Sequence, residues 1–268
     1  MWAFRVAPKK RVLLVVLMCL VRDVVSLEDK CDPCLDRRWL FVVATGRSGS
    51  TTLLDMLNAV PQILMAGENP FLLRQLDVFS TAHAARRRLE PQPGASGGAW
   101  WHPAIDLTDE VCDIQELTKD SIGLKAVEPP TRAYVGFKEV RFTADLVTRM
   151  ADFVFPCAKF IFNYRLDLEA QSASQLKHFQ GHSQSGHLLN LTDDLAAWQN
   201  SSEEHKSKAF SLPLEHFDVD HFNDLLTWLG ITGCNYTKVL HANNGGYNAP
   251  SKWALPLDDD SACRFIGP

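Results

Sequence analysis

The sequence predicts an α/β fold, a single domain in which helices flank a central parallel sheet. Three observations support this prediction. Short apolar runs alternate with stretches of helical periodicity, the first apolar run leads into a loop rich in Gly and Ser, and a helical pattern follows that loop directly. Strands that alternate with helices usually form a parallel sheet.

The first strand is predicted at residues 39–44, WLFVVA. A continuous apolar run with β-branched and aromatic residues is typical of a strand buried on both faces. Residues 45–52, TGRSGSTT, follow it, and apolar side chains then recur at helical spacing up to Val60. The unit is therefore a strand, a P-loop-like turn and a helix.

Later segments repeat the alternation. Strands are predicted at residues 135–137 and 159–164, and a helix follows the second of them at 168–179. An amphipathic helix at 222–229 ends at Gly230, a common helix stop. Residues 86–103 contain several Pro and Gly and end near Trp100 and Trp101, so a loop insertion is predicted there.

Residues 1–26 have the pattern of a secretory signal peptide. Basic residues precede an apolar run at 12–21, and small residues lie near position 26. The run is shorter than the ~20 residues that a membrane-spanning helix needs. We expect cleavage near Ser26, with a short signal anchor as the alternative, and a globular domain over residues 36–268.

Charge and cysteine content agree with a secretory protein. The formal charge is -5, and removing the net +4 of the leader leaves -9, which argues against nonspecific nucleic-acid binding. Six of the seven Cys follow the leader, an even number that predicts disulfides, although their pairing stays open. Their spacing does not complete a zinc site, so no metal is expected. Glycosylation acceptor motifs begin at Asn190, Asn200 and Asn235.

The loop at residues 45–52 has the composition of an oxyanion site. The amino end of a helix presents backbone N–H groups and a positive dipole to an anion. Gly46 and Gly49 permit close backbone approach, Arg47 supplies a two-pronged cation, and four residues supply hydroxyls: Ser48, Ser50, Thr51 and Thr52. The Lys of the nucleotide triphosphatase loop is missing, which disfavours ATP hydrolysis.

This loop resembles the 5'-phosphosulfate loop of the sulfotransferase family, a buried strand followed by [RK]-S-G-[ST]-T and a helix. Residues 155–165, FPCAKFIFNYR, are similar to the family strand that ends in an Arg for the 3'-phosphate. Residues 136–139 and 210–230 also resemble family segments, whereas 72–124 do not. The resemblance implies 3'-phosphoadenosine 5'-phosphosulfate (PAPS) as co-substrate, no metal, and a hydroxyl-bearing acceptor.

The resemblance also implies roles for individual residues. Arg47, Lys138 and the loop from Gly46 to Thr52 would hold the phosphosulfate, and Arg165 the 3'-phosphate. The family has a Ser eight residues after that Arg, but here Ala173 lies between Ser172 and Ser174. Seven residues make nearly two helical turns, which favours Ser172, with Ser174 as the alternative.

The catalytic base is predicted from the same resemblance. Members of the family use a His or a Glu, and in luminal members a Glu soon after the first helix often serves. Glu68, in the segment GENP, is at that position, and Glu139 is the second candidate. The predicted catalytic residues are thus Glu68, Lys138 and Arg47.

Together these observations predict a sulfotransferase of the secretory pathway, in the Golgi lumen or secreted. It would move a sulfonate group in line from PAPS to a hydroxyl of a carbohydrate or glycoprotein. Neither a nucleic-acid partner nor a permanent membrane span is expected. The alternatives are a noncatalytic nucleotide- or glycan-binding protein on the same fold, and a kinase, which the missing Lys disfavours.

Overall fold

A computed structural model describes residues 32–34, 38–88, 107–123, 134–178, 185–240, 257 and 263–265. Its centre is a five-stranded sheet in the order β2-β3-β1-β4-β5, in which every neighbouring pair is parallel. The strands are β1 (Trp39–Ala44), β2 (Ile63–Ala66), β3 (Tyr134–Glu139), β4 (Lys159–Asn163) and β5 (Ala209–Ser211). Two short antiparallel strands, β6 (Ile231–Thr232) and β7 (Arg264–Phe265), pair separately. The predicted α/β class and parallel sheet are confirmed.

Helices connect these strands. They are α1 (Ser50–Ala59), α2 (Pro70–Arg88), α3 (Leu107–Ser121), α4 (Ala144–Arg149), α5 (Leu168–His178), α6 (Ser185–Asn200), α7 (Glu203–Lys208) and α8 (Val219–Leu229). A π-helical turn, Met150–Val154, continues α4, and a 3-10 turn, Leu214–His216, precedes α8. Within the described ranges, no helix is long and apolar enough to cross a membrane.

Both faces of β1 are covered, which explains its continuous apolar sequence. Phe41 and Val43 pack on one face with aromatic side chains of β3 and β4. Leu40 and Val42 pack on the other face with α1 and α8. Strand β3 lies so close to β1 that a Cβ at Gly136 would stand 1.7 Å from the Leu40 carbonyl oxygen. Gly136 is therefore required for this strand pair.

Disulfides fasten the domain at two described places. Cys34 is bonded to Cys157, which joins the segment before β1 to the segment before β4. Cys234 is bonded to Cys263, which joins the segment after β6 to the start of β7. Cys112 is disulfide-bonded as well. The expectation of disulfides is confirmed.

The predicted loop insertion is only partly within the described residues. Helix α2 extends to Arg88, so the first three residues of the 86–103 stretch are helical. The rest of that stretch, with Trp100 and Trp101, lies outside the described residues, as does the 1–26 leader. Helix α8 ends before Gly230, which has the left-handed conformation (φ 70°) expected of such a stop.

Candidate active site

The topology brings the predicted site segments to one edge of the sheet. Because all five strands are parallel, their carboxyl ends share that edge. The 45–49 loop follows central β1, while the ends of β3 and β2 lie on one side of it and the end of β4 on the other. The chain reverses its direction of strand addition at β1, and such switch points are where open α/β sheets bind ligands.

The loop has a backbone suited to an anion. Gly46, Arg47 and Gly49 all have positive φ angles, of 65°, 55° and 76°. Gly49 caps α1 without a side-chain hydrogen bond, and a Cβ there would lie 2.6 Å from Leu214 and 2.9 Å from Phe217. The first-turn N–H groups of a helix without a side-chain cap can serve an external anion.

Asn163, the last residue of β4, holds the loop by hydrogen bonds to Ser48. The Ser48 hydroxyl donates to Asn163 Oδ1 at 2.7 Å, and Asn163 Nδ2 donates to the carbonyl oxygens of Ser48 and Leu212, each at 3.0 Å. Ser48 is fully buried. Its hydroxyl therefore faces the protein, and its N–H is the group that suits an anion.

The remaining hydroxyls of the loop differ in exposure. Ser50 is buried, Thr51 is exposed, and Thr52 is half-buried. Among these three, Thr51 therefore has the hydroxyl that a ligand in solution reaches most readily.

Two residues of helix α5, Gln171 and Ser174, contact the loop. Arg47 Nε donates to Ser174 Oγ at 2.9 Å, and Gln171, three residues earlier on the same face, donates to the loop backbone. The Ser172 hydroxyl makes no hydrogen bond within the described part of the chain. Because one residue along a helix turns the side chain by about 100°, Ser172 and Gln171 point in different directions. Of the two candidate serines, Ser174 is the one that contacts the loop.

Arg165 lies just beyond β4 with unused hydrogen-bonding capacity. Its Nε is buried and has no hydrogen-bond partner among the described residues, and Glu215 Oε1 lies 3.7 Å away. Glu215 accepts the N–H groups of Leu166 at 2.9 Å and Asp167 at 3.1 Å. Burial would raise the pKa of Glu215, but backbone N–H groups and the Arg165 charge outweigh it and lower that pKa. Arg165 is thus anchored and suited to a phosphate.

Glu68 and Lys138 form an ion pair on the other side of β1. Lys138 Nζ donates to Glu68 Oε1 at 2.6 Å. The Lys138 side chain is only 6% exposed, whereas that of Glu68 is 37% exposed. Burial raises the pKa of the nearby Asp55 carboxyl, and the Lys138 charge opposes part of that rise. The structure therefore joins the predicted base to the predicted catalytic Lys.

Glu139 is placed differently from Glu68. Its register partner on β1 is Val43, which packs on the face opposite that of Val42, the partner of Lys138. Glu139 is fully buried, and its Oε1 accepts from Val140 N and Arg141 Nη1. Arg141 Nη1 also lies 3.6 Å from Glu68 Oε2. Of the two candidate carboxylates, Glu68 is the one that solvent reaches.

Comparison with known proteins identifies the family. The sequence profile of the "Sulfotransferase family" matches residues 40–227, which include the loop, β3, β4 and α5. The chain belongs to the sulfotransferase family. A search of curated proteins found no match for this sulfotransferase.

Several solved structures are similar to this sulfotransferase. The sulfotransferase domain of the Synechococcus PCC 7002 olefin synthase is 14% identical, with 75% of this chain and 76% of that one covered and a TM-score of 0.45. A sulfotransferase from Alicyclobacillus acidocaldarius is 15% identical, with 73% and 82% covered and a TM-score of 0.45. Mouse sulfotransferase SULT7A1 complexed with PAP is 11% identical, with 74% and 60% covered and a TM-score of 0.38.

The structure also reveals site residues that the sequence did not indicate. Asn163 and Gln171 bind the loop, and Arg141 lies beside Glu68. The sequence could have indicated Asn163, because it is the one amide in an otherwise apolar strand end, FIFN. No comparable signal marks Gln171 in a helix of mixed polarity. In the described ranges of this sulfotransferase, no three His, Cys, Asp or Glu side chains are placed to hold a metal ion.

Proposed function

We propose that this sulfotransferase moves a sulfonate group from PAPS to a hydroxyl acceptor, with Glu68 as the catalytic base. The observation that carries this proposal is the contact of 2.6 Å between Glu68 and Lys138. A carboxylate and an ammonium group are the two groups that proton removal and sulfonate transfer need. The pair lies at the same sheet edge as the anion loop.

The residues at this edge fit the two anionic ends of PAPS. The backbone of the 45–49 loop and the first turn of α1 would hold the 5'-phosphosulfate, with Arg47 fixed by Ser174. Arg165, whose Nε bonds to no atom in the described part of the chain, would hold the 3'-phosphate. Ser172 stays a candidate for that phosphate, whereas the bond of Ser174 to Arg47 favours a place beside the 5' group.

The chemistry of the transfer assigns a proton to Glu68. The acceptor oxygen forms a bond to sulfur while the bond from sulfur to the phosphate oxygen breaks, and adenosine 3',5'-bisphosphate leaves. The acceptor proton passes to Glu68 Oε2, because Oε1 already accepts from Lys138. Lys138 orients the carboxylate and offsets negative charge on the transferring group.

We propose a carbohydrate or glycoprotein acceptor in the secretory pathway. The disulfides Cys34–Cys157 and Cys234–Cys263 favour an oxidising compartment. Asn200 and Asn235, which begin two glycosylation motifs, are exposed. Phe71, three residues after Glu68, is 81% exposed and offers an aromatic face of the kind that sugar rings stack against.

Transfer from radiolabelled PAPS tests the proposal. Purified protein would be incubated with a panel of glycans, tyrosyl peptides and lipids, with Glu68→Gln as the catalytically impaired control. Labelled glycan with wild type, and far less with the variant, is the expected result. Binding of adenosine 3',5'-bisphosphate without transfer to any acceptor would instead favour a noncatalytic binding protein on this fold.

A further inference from the structure

The amide of Gln171, on α5, makes an unusual set of contacts with the anion loop. Its Nε2 donates to the Thr45 carbonyl at 3.1 Å, to Thr45 Oγ1 at 2.9 Å and to the Gly46 carbonyl at 2.5 Å. The side chain is fully buried. A buried amide normally satisfies both its oxygen and its nitrogen, but here Oε1 has no partner within the described residues. Such an imbalance calls for an explanation.

The contacts fix which way the amide faces. All three atoms near Nε2 are oxygens, and two of them are carbonyl oxygens that can only accept. A flipped amide would set Oε1 against the two carbonyl oxygens and remove both of those hydrogen bonds. The amide of Gln171 therefore acts as a donor toward the loop at the cost of an unsatisfied buried oxygen.

Holding these carbonyls also orients the N–H groups that follow them. In a trans peptide, the carbonyl of one residue and the N–H of the next point in opposite directions, and no cis peptide occurs in the described ranges. With the Thr45 and Gly46 carbonyls turned toward Gln171, the N–H groups of Gly46 and Arg47 point away from it. Gly46 and Arg47 both have positive φ, a conformation that L-residues such as Arg47 adopt at a cost.

We propose that Gln171 is a positioning residue for the 5' anion of the donor. Its amide clamps two carbonyls of the loop and thereby fixes the direction in which the N–H groups of Gly46 and Arg47 point. The clamp is neutral, so it shapes the loop without placing a further charge beside a polyanion. This inference rests on the proposed function, because it assumes that the loop binds the 5' end of the nucleotide.

Helix α5 provides a matched control. Gln175 is one turn after Gln171, is also buried (6% exposed), and has its Nε2 3.9 Å from the position of a Cβ on Gly46. Its side chain makes no hydrogen bond within the described part of the chain. Gln171→Met and Gln175→Met thus remove the same amide from the same helix, but only the first removes bonds to the loop.

The test compares two nucleotides by calorimetry. Adenosine 3',5'-bisphosphate has a 5' anion, and adenosine 3'-monophosphate lacks one. For Gln171→Met we expect the affinity for the bisphosphate to fall about tenfold or more, since at least one well-made hydrogen bond to the loop is lost. Affinity for the 3'-monophosphate should change less than about twofold, and Gln175→Met should leave both affinities near wild type.

The outcomes separate the inference from the proposed function. An equal loss for both nucleotides, or no loss for either, would overturn the role of Gln171 while leaving the donor site standing. Failure of wild type to bind the bisphosphate would overturn the donor site itself. If Gln171→Met does not fold, Thr45→Val removes one of the three acceptors, and a drop of about twofold for the bisphosphate alone is expected; an unchanged ratio of affinities would overturn the proposal.

Discussion

The two sides of β1 hold their polar groups in different ways. Toward β4, buried amides fix the loop: Asn163 and Gln171 are at most 1% exposed and bind backbone carbonyls. Toward β3, charged side chains fix one another, and Glu68 and Arg141 remain 37% and 53% exposed. Neutral amides can position a backbone without altering the charge near a phosphate. Exposed ionised groups suit the side where a proton has to move.

Exposed apolar side chains occur on both sides, with Leu166 and Leu176 on the β4 side and a larger, partly aromatic set on the side of Glu68. On the side of Glu68, helix α2 exposes Phe71, Val78 and Phe79. Together with Arg74 and Gln75 these side chains line a depression of about 290 Å³. We therefore expect the donor to bind on the buried β4 side of β1 and the acceptor to bind on the more open β3 side.

The largest expected effect is on the acceptor side. Glu68→Gln removes the proton acceptor and should lower kcat by about 10²- to 10⁴-fold. Affinity for adenosine 3',5'-bisphosphate should remain within about twofold, because amides of the other side hold the loop. Glu204→Gln, which breaks a carboxylate–Lys pair with Lys208 far from this edge, is the matched control. A large loss of nucleotide affinity in Glu68→Gln would show that the two sides of β1 do not act independently.

The next effect is on the donor side. Arg165→Ala should lower affinity for adenosine 3',5'-bisphosphate by about 10- to 100-fold, the value of a charged hydrogen-bonded contact. Affinity for adenosine 5'-monophosphate, measured by the same calorimetry, should hardly change. Arg141→Ala, on the other side of β1, should leave both nucleotides bound as in wild type. Equal losses in the two Arg variants would show that the sides are not independent.

Close packing at Gly49 predicts that replacing Gly49 destabilises the protein more than replacing Gly123 does. Gly49→Ala should lower the free energy of unfolding by about 3 kcal/mol, since it adds a clash with Leu214 and Phe217 to the cost of a positive φ. Gly123→Ala, with φ 75° and no atom of the described residues within 4 Å of the new Cβ, should cost about 1 kcal/mol. Denaturant titration of both variants gives the comparison, and equal costs would contradict close packing at Gly49.

The smallest expected effect is on the pH dependence of stability, through the Glu215 carboxyl. Its pKa is lowered in the folded state, so the stability it contributes is present at neutral pH and is lost as pH falls through that pKa. The free energy of unfolding of Glu215→Gln should be lower than that of wild type by about 0.5 kcal/mol at neutral pH, since the group is partly solvated. The gap should close in acid. A gap that widened as pH fell would reverse the assigned sign.

Much of the central fold could be predicted because strong local patterns determine it. Strand β1 was predicted with its observed bounds, since a strand covered on both faces requires a continuous apolar run. The end of α8 was also predicted, because Gly230 adopts a conformation that favours glycine. Helix α2 was not predicted: one of its sides is exposed and carries Phe71 and Val78, so its periodicity is weak.

The candidate site could be predicted only where a motif encodes it. The loop and the contact between Glu68 and Lys138 agree with the family resemblance. The clamps by Asn163 and Gln171 depend on contacts across 115 and 126 positions of sequence, which no local pattern reports. The sequence favours Ser172 over Ser174 by helical periodicity alone, and the contact of Ser174 with Arg47 depends on how α5 is rotated against the loop, which no local pattern reports.

We propose that the loop after β1 is a donor site for a nucleotide with a 3'-phosphate. Calorimetric titration of purified protein with adenosine 3',5'-bisphosphate, in the absence and presence of excess ATP, tests it without knowledge of the acceptor. We predict binding that ATP does not displace and that Arg47→Ala greatly weakens. Folded wild-type protein that does not bind the bisphosphate, or that releases it to ATP, would contradict the account.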